Sequence, residues 1–255
     1  MSEQVARTAI ALLLLLIAAL AVMTVGGLNY RRELVVAALR ALVQLTVVAL
    51  VIAWIFNHSE GAFLYLGLML LAASYTSNRR IRGDRRDWLW VLLAILAGVA
   101  ATTSIVAITG AIAFSPQALL PFTAQMIGGA MTAASLSGVR LREDVRAHFT
   151  EFEGYVSLGA TLRQAGREFA QHAAEQSLFP SLDQTKSAGL VTLPGAFVGL
   201  LLGGATPLLA AQIQLLVLVG LLLAQSITSV ITTRMISPLQ KPMGSKAVLA
   251  AAALK

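Results

Sequence analysis

Arg40 is the one charged side chain set deep in an apolar run of this 255-residue chain, and Gln44 follows one helical turn later on the same face. A guanidinium among apolar neighbours is costly, so it either faces water along a solute path or snorkels to the interface or a nearby carbonyl. Two further polar stripes recur at helical spacing. One is Gln125, Gly128, Thr132 and Ser135, bordered by Met126 and Met131; the other is Gln225, Thr228, Ser229, Thr232 and Thr233. Small polar stripes let membrane helices approach and hydrogen-bond, and they also suit a translocation path. Thioethers such as Met126 prefer soft ions, but methionine packs equally well as a plain apolar group.

Other titratable groups sit between residues 140 and 187. Asp144 and His148 are four apart, as are Glu168 and His172, with Glu175 a turn beyond. That spacing suits a metal or ordinary charge pairs on a solvated helix; no third strong ligand is fixed, which favours the charge pairs. Asp183 and Lys186, three apart, are expected to form a local ion pair. The chain has no cysteine, so disulfides, thiolate metal sites and thiol catalysis are excluded. No GxxxxGK[ST] loop is present, so ATP hydrolysis by this chain alone is not expected, and no HExxH helix or GxSxG elbow points to a membrane hydrolase.

The elements that must carry these residues are apolar. The chain is 57% hydrophobic and 12% charged, with a mean hydropathy of +0.78, a composition that belongs in a bilayer. Spans of about 20 apolar residues cross the hydrocarbon core as helix, and about seven such stretches are present. They run from residues 8 to 28, 34 to 56, 61 to 77, 88 to 114, 117 to 139, 188 to 202 and 208 to 236. The sequence Ala19-Leu20-Ala21 offers a signal-peptide cleavage site, but the apolar run continues past it.

Arginine alternates between the connections. Those after the first, third and fifth spans hold Arg31 and Arg32, then Arg79 to Arg86, then Arg140, Arg142, Arg146, Arg163, Arg167 and Lys186, while the others hold no Lys or Arg. The positive-inside rule then places the N-terminus outside and the C-terminus in the cytoplasm, in agreement with Arg234, Lys241 and Lys246. This topology accounts for the net charge of +7 without a nucleic-acid face. Trp54, Trp88 and Trp90 stand where interfacial anchors or packing tryptophans would. The expected fold is an all-α polytopic membrane protein, one permease domain over residues 1–255 with a cytoplasmic helical coupling segment at about 140–187. In that segment Thr161 with Gln164 forms a capping box that predicts a helix over 162–178, ended by Pro180.

Several motifs share an order with known permeases. Glu153 precedes Gly159 by six residues, the opening spacing of the EAA loop of ATP-binding-cassette import permeases, but the closing Leu-Pro of that loop does not follow at its usual distance. In sequence, Arg40 with Gln44, Gly128, Met131, Glu153, Leu158-Gly159-Ala160-Thr161, Pro180, Asp183, Lys186, Gly189-Leu190-Val191, Leu193-Pro194-Gly195, Pro207 and Gln212-Ile213 resemble the FetB-type iron export permease family. Gly129 stands where the family commonly has Asn, and Ala211 where it commonly has Tyr.

The resemblance implies a subunit working as a pair in the bacterial cytoplasmic membrane, with a separate ATPase that binds ATP and Mg and no cofactor on this chain. It implies that Glu153, Leu158, Gly159, Ala160, Thr161 and Gln164 dock that ATPase. Gly189, Pro194 and Gly195 would act as a hinge or close-packing point. The expected path residues are Arg40, Gln44, Gln125, Met126, Thr132, Gln225, Thr228, Ser229 and Thr232. The family leaves the cargo open between iron, another metal species and a solute such as a nucleotide sugar. Without the resemblance, an ATP-independent carrier or channel and a membrane scaffold are the competing classes. Coupled carriers usually show intramembrane carboxylates, which the seven apolar stretches lack.

Overall fold

The computed structural model describes residues 2–57, 61–113 and 115–236; Lys241 and Lys246 lie outside them. The described elements are helices, apart from one isolated bridge between Ala188 and Thr192. After residue 60 the chain divides into two compact units. The first holds α1 (Ser2–Val25) and α2 (Arg31–Asn57). Their turn is set by Gly27, whose φ of +67° lets Leu28 N–H reach back to Met23 O at 2.9 Å and Gly27 N–H to Thr24 O at 3.3 Å. Such a left-handed residue satisfies the last carbonyls of a helix and stops it.

The second unit contains α3 (Gly61–Ile81), α4 (Arg85–Thr109), α5 (Pro116–Ala147), α6 (Phe149–Ser157), α7 (Leu162–Ala165), α8 (Arg167–Ser187), α9 (Gly195–Leu202) and α10 (Pro207–Met235). The same terminator recurs with Gly159 after α6 and Gly204 before α10, and in one place without glycine. Arg82, at φ +58°, ends α3 with Gly83 N–H on Asn78 O at 2.9 Å. The Asn78 side chain steadies that turn by donating to Gly83 O and Asp84 O.

Cross-contacts fix the helix directions. Ser77 Oγ lies 3.0 Å from Ser135 Oγ, and a Cβ on Gly138 would meet Ile81, so α3 and α5 run parallel. Thr228 Oγ1 donates to Ala94 O at 3.2 Å while Gly220 faces Thr102, so α4 runs antiparallel to α10. Trp88 Nε1 donates to Ser74 Oγ at 3.1 Å, tying the start of α4 to α3. The end of α3, the start of α4 and the ends of α5 and α10 therefore share one end of the unit. Arg79, Arg80, Arg85, Arg86, Arg146 and Arg234 gather there.

Among the described residues five helices, α1, α2, α4, α5 and α10, are long and apolar enough to cross a membrane. Of the seven expected spans, two come out differently. α3 is 21 residues long, and its second half is polar, with Ser74, Thr76, Ser77 and Asn78. The stretch expected over 188–202 is broken, and only α9 is helical, eight residues or about 12 Å long.

The chain before that break also differs from expectation. The helix expected over 162–178 divides at Gly166 into the four-residue α7 and the 21-residue α8. α8 passes through Pro180 to Ser187 because its small face, Ala170, Ala173, Ala174 and Ser177, is buried against α5 and α10. Packing of that face outweighs the one backbone hydrogen bond a proline forfeits. Ser177 Oγ lies 2.7 Å from Ser229 Oγ, and further along Phe197 N–H donates to Gln214 Oε1 at 3.1 Å. α8, the break and α9 thus run in succession antiparallel to α10. Residues 167–187, which include most of the helix expected over 162–178, lie along α5 and α10.

α10 sits among α4, α5, α8 and α9, and its neighbours come close where glycine allows it. A Cβ on Gly98 would strike Ala224 O and Thr228 Oγ1, whereas one on Gly128 would meet open space. Gly98→Ala should therefore lower the stability of the purified protein by about 1–3 kcal/mol. Gly128→Ala should leave it within about 0.5 kcal/mol; thermal unfolding in mild detergent compares the two.

Candidate functional site

The expected docking residues come together. Glu153 lies on the exposed side of α6, Leu158 caps its end at 87% exposure, and Gly159 turns the chain at φ +94°. Ala160 N–H returns to Tyr155 O at 3.0 Å and Gly159 N–H to Val156 O at 3.0 Å, so the reversal is hydrogen-bonded without outside help. Thr161 then starts α7 with a complete capping box. Gln164 N–H donates to Thr161 Oγ1 at 3.3 Å, and Thr161 N–H to Gln164 Oε1 at 2.9 Å. The result is a short, rigid, solvent-exposed tip. It stands at the arginine-rich end, since α6 follows the end of α5 and α8 begins beside it.

Two open grooves flank the tip. One, of about 640 Å³, lies between α8 and α10, with Gln164, Gln171, Glu175, Ser226, Ser229 and Thr233 in its walls. The other, which shares Gln164, Gln171 and Glu175 with the first, includes Tyr155, Glu168 and His172. The charge of Glu151, then that of Glu168, pushes the exposed Tyr155 phenol above its ordinary pKa, so it stays protonated at neutral pH.

The histidines are engaged locally. His172 Nδ1 lies 3.1 Å from Asp144 Oδ2, and its Nε2 lies 3.0 Å from Gln176 Nε2. An imidazole protonated on Nδ1 satisfies both contacts, donating to the carboxylate and accepting from the amide. His148 stacks on Phe169, its ring centre 6.0 Å away. Among the described residues no group of three or more His, Cys, Asp or Glu is placed to hold a metal ion. Asp183 and Lys186, expected to pair, form no ion pair with each other.

The expected path residues of the second unit separate. Gln225, Thr228, Ser229 and Thr232 are buried within the second unit. Thr228 is bonded to α4 and Ser229 to α8, so this stripe joins helices. The carbonyl of the Gln225 side chain and the Thr232 hydroxyl have no partner, although both are enclosed. Met126 is fully buried beside Gly220, where its thioether packs in the core. Gln125 and Thr132 lie on the exposed face of α5, Thr132 donating back to Gly128 O at 3.1 Å. Arg40 and Gln44 are exposed on α2 in the first unit.

Gly189, Pro194 and Gly195 all fall in the break between α8 and α9. Gly189 has φ +84°, a conformation that favours glycine, and Pro194 is the residue from which α9 starts. No atom lies within 4 Å of a Cβ built on Gly189 or Gly195, so neither is there for close packing within the chain. Ser187 O accepts from Leu190, Val191 and Thr192 N–H at 3.3, 3.0 and 3.2 Å, and Gly189 N–H donates to Thr192 O at 2.8 Å. The non-helical stretch thereby satisfies much of its own backbone.

Sequence reasoning passed over Asp87, which is 1% exposed. Its Oδ2 accepts from Asp84 N–H at 3.0 Å and lies 3.7 Å from Arg142 Nη2, linking α4 to α5 at the arginine-rich end. The available signal was the Asp84-x-x-Asp87 spacing, a capping box in a loop otherwise dominated by arginine.

Residues 5–239 match the profile described as "Uncharacterised protein family (UPF0014)". The chain belongs to the UPF0014 family. Among its relatives, the UPF0014 membrane protein STAR2 of Oryza sativa subsp. japonica is 34% identical over 213 residues, 83% of this chain and 75% of STAR2. Protein ALUMINUM SENSITIVE 3 of Arabidopsis thaliana is 32% identical over 214 residues, 83% of this chain and 78% of the relative. The probable iron export permease protein FetB of Escherichia coli (strain K12) is 27% identical over 233 residues, 90% of each chain. The kinship expected from the motifs therefore holds, and UPF0014 is a family of membrane proteins with several apolar helices. No solved structure matches the chain.

Removing the cap should loosen the tip of this UPF0014 member without disturbing its core. Thr161→Ala should cost about 1 kcal/mol locally, read as faster hydrogen exchange at the amides of α7 with unchanged exchange in α10.

Proposed function

We propose that this chain is the permease subunit of an ATP-binding-cassette exporter in the bacterial cytoplasmic membrane. It works as a pair, by alternating access, with a separate ATPase that binds ATP and Mg. The observation that carries this reading is the exposed, capped tip of α6 and α7 at the arginine-rich end, in a chain whose family includes a protein named as an iron export permease. A docking element must be rigid enough to transmit force and exposed enough to be grasped, and Gly159 to Gln164 have both properties.

Orientation follows from charge. The arginine clusters at one end of the second unit support a cytoplasmic position for that end, where an ATPase would meet the tip. With the break and α9 counted as the end of one crossing, a reading of about seven crossings gives an N-terminus outside and a C-terminus inside. The cargo is a metal species, as the name of FetB, a probable iron export permease, gives for that relative. With no cluster of strong ligands among the described residues, it would pass as a chelate or through weak, transient coordination.

Co-purification from native membranes tests the central claim. A near-stoichiometric ATP-binding protein should accompany the chain and be lost in Gly159→Val, where a β-branched residue is strained at φ +94°. The variant should still insert and retain its own thermal stability. Recovery of the chain alone in several mild detergents would favour an ATP-independent carrier. Separately, Arg40→Leu should reduce transport at least tenfold with assembly intact; unchanged flux would leave Arg40 as a snorkelling residue.

A further inference from the structure

We propose that the outward face of α8, with Glu175, Asp183 and Lys186, lines a water-filled path through the bilayer; this rests on the permease reading above. The placement of α8 carries it. Ser177 is bonded to Ser229, Leu178 shares a groove with Ser226, and Thr185 shares a pocket with Leu218. Each step up α8 therefore matches a step down α10, a 29-residue apolar helix long enough to cross a membrane. Asp183 and Lys186 lie about 9 and 13 Å beyond Ser177 at helical rise. They stand alongside the apolar middle of α10 and not at its arginine-bearing end.

The side of α8 opposite its small residues sets charged and polar groups among apolar ones: Gln171, His172, Glu175, Asp183 and Lys186 share it with the exposed Phe179 and Leu182, while Ala170, Ala173, Ala174 and Ser177 face inward. Glu175, Asp183 and Lys186 are exposed, and none of the three forms an ion pair with any described residue. Ionised side chains at that depth are not stable against lipid tails; they face water or a pairing partner in a protein cavity. Near its arginine-rich end this face joins the groove walled by Gln171, Glu175, Ser226 and Ser229, which opens the path on that side.

The break after α8 fits the same surroundings. Non-helical backbone is tolerated at membrane depth where it is buried in protein or lines an aqueous cavity. The segment from Ala188 to Pro194 bonds much of its backbone around Ser187 O, beside Gln214 of α10. A path bearing Glu175 and Asp183 on one wall suits water and a hydrated cationic or polar cargo.

Cysteine accessibility tests this, and the absence of native cysteine means that no background thiol must be removed. Asp183→Cys and Lys186→Cys are made in the full chain in native membranes, with the exposed apolar position Leu68 of α3 as Leu68→Cys for comparison. A small charged methanethiosulfonate should label both α8 positions at least tenfold faster than Leu68→Cys, while a bulky polyethylene-glycol maleimide should label neither until the membrane is dissolved. Labelling of both α8 positions by both reagents would place α8 in open solvent and overturn the proposal. Labelling by neither reagent would place this face against lipid or packed protein and overturn it equally. The readout requires no ATP, so failure of the exporter reading appears separately, as loss of the co-purifying ATPase with the labelling pattern intact.

Discussion

The approach of α4 to α10 at Gly98 sets the geometry on which the second unit depends. With no side chain there, the carbonyl of Ala224 and the hydroxyl of Thr228 come within reach of the α4 backbone, and Thr228 can donate to Ala94 O. In a bilayer, association between apolar helices gains little from the hydrophobic effect and must come from packing and hydrogen bonds. Gly98 and Gly129 keep the neighbours of α10 near enough for both. Ser229 extends the arrangement to a third neighbour through Ser177. α10 is the post against which α4, α5, α8 and α9 are registered.

That register gives the exposed tip and the break between α8 and α9 a mechanical relation. α7 is separated from α8 by Gly166 alone, and α8 is one continuous helix from there to Ser187. A load on the capped tip is transmitted along a stiff rod of about 30 Å to a segment held by local hydrogen bonds. The rod can slide or rotate only as its bed of small residues, Ala170 to Ser177, allows. Small shear motions of this kind are how packed helices commonly move between states.

The helical class, the long apolar spans and the clustering of arginine at one end were legible because each rests on composition over many residues. The capping box at Thr161 was legible for a different reason, being local chemistry complete within four residues. α8 was misread because Glu, Gln, His, Asp and Lys dominate its sequence and gave it the profile of a solvated helix. Its burial rests on four small residues whose value depends on partners from α5 and α10. The Asp87 link to Arg142 was invisible in the same way, since its partner lies 55 residues away in a different helix. By local rules Pro180 reads as a terminator, and tertiary packing overrides them.

The composition of α8 also bears on how the protein is made. A helix so rich in polar groups gains little by leaving water alone, and the side chains that receive it, such as Ser229 and Thr233, are translated after it. α8 can lie against α5, which is already made, but completes its packing only once α10 has emerged from the ribosome and entered its place. The last third of the chain is then completed as a hairpin, from the second arm back to the first, and a nascent chain stopped before residue 207 would hold α8 with only the α5 half of its bed.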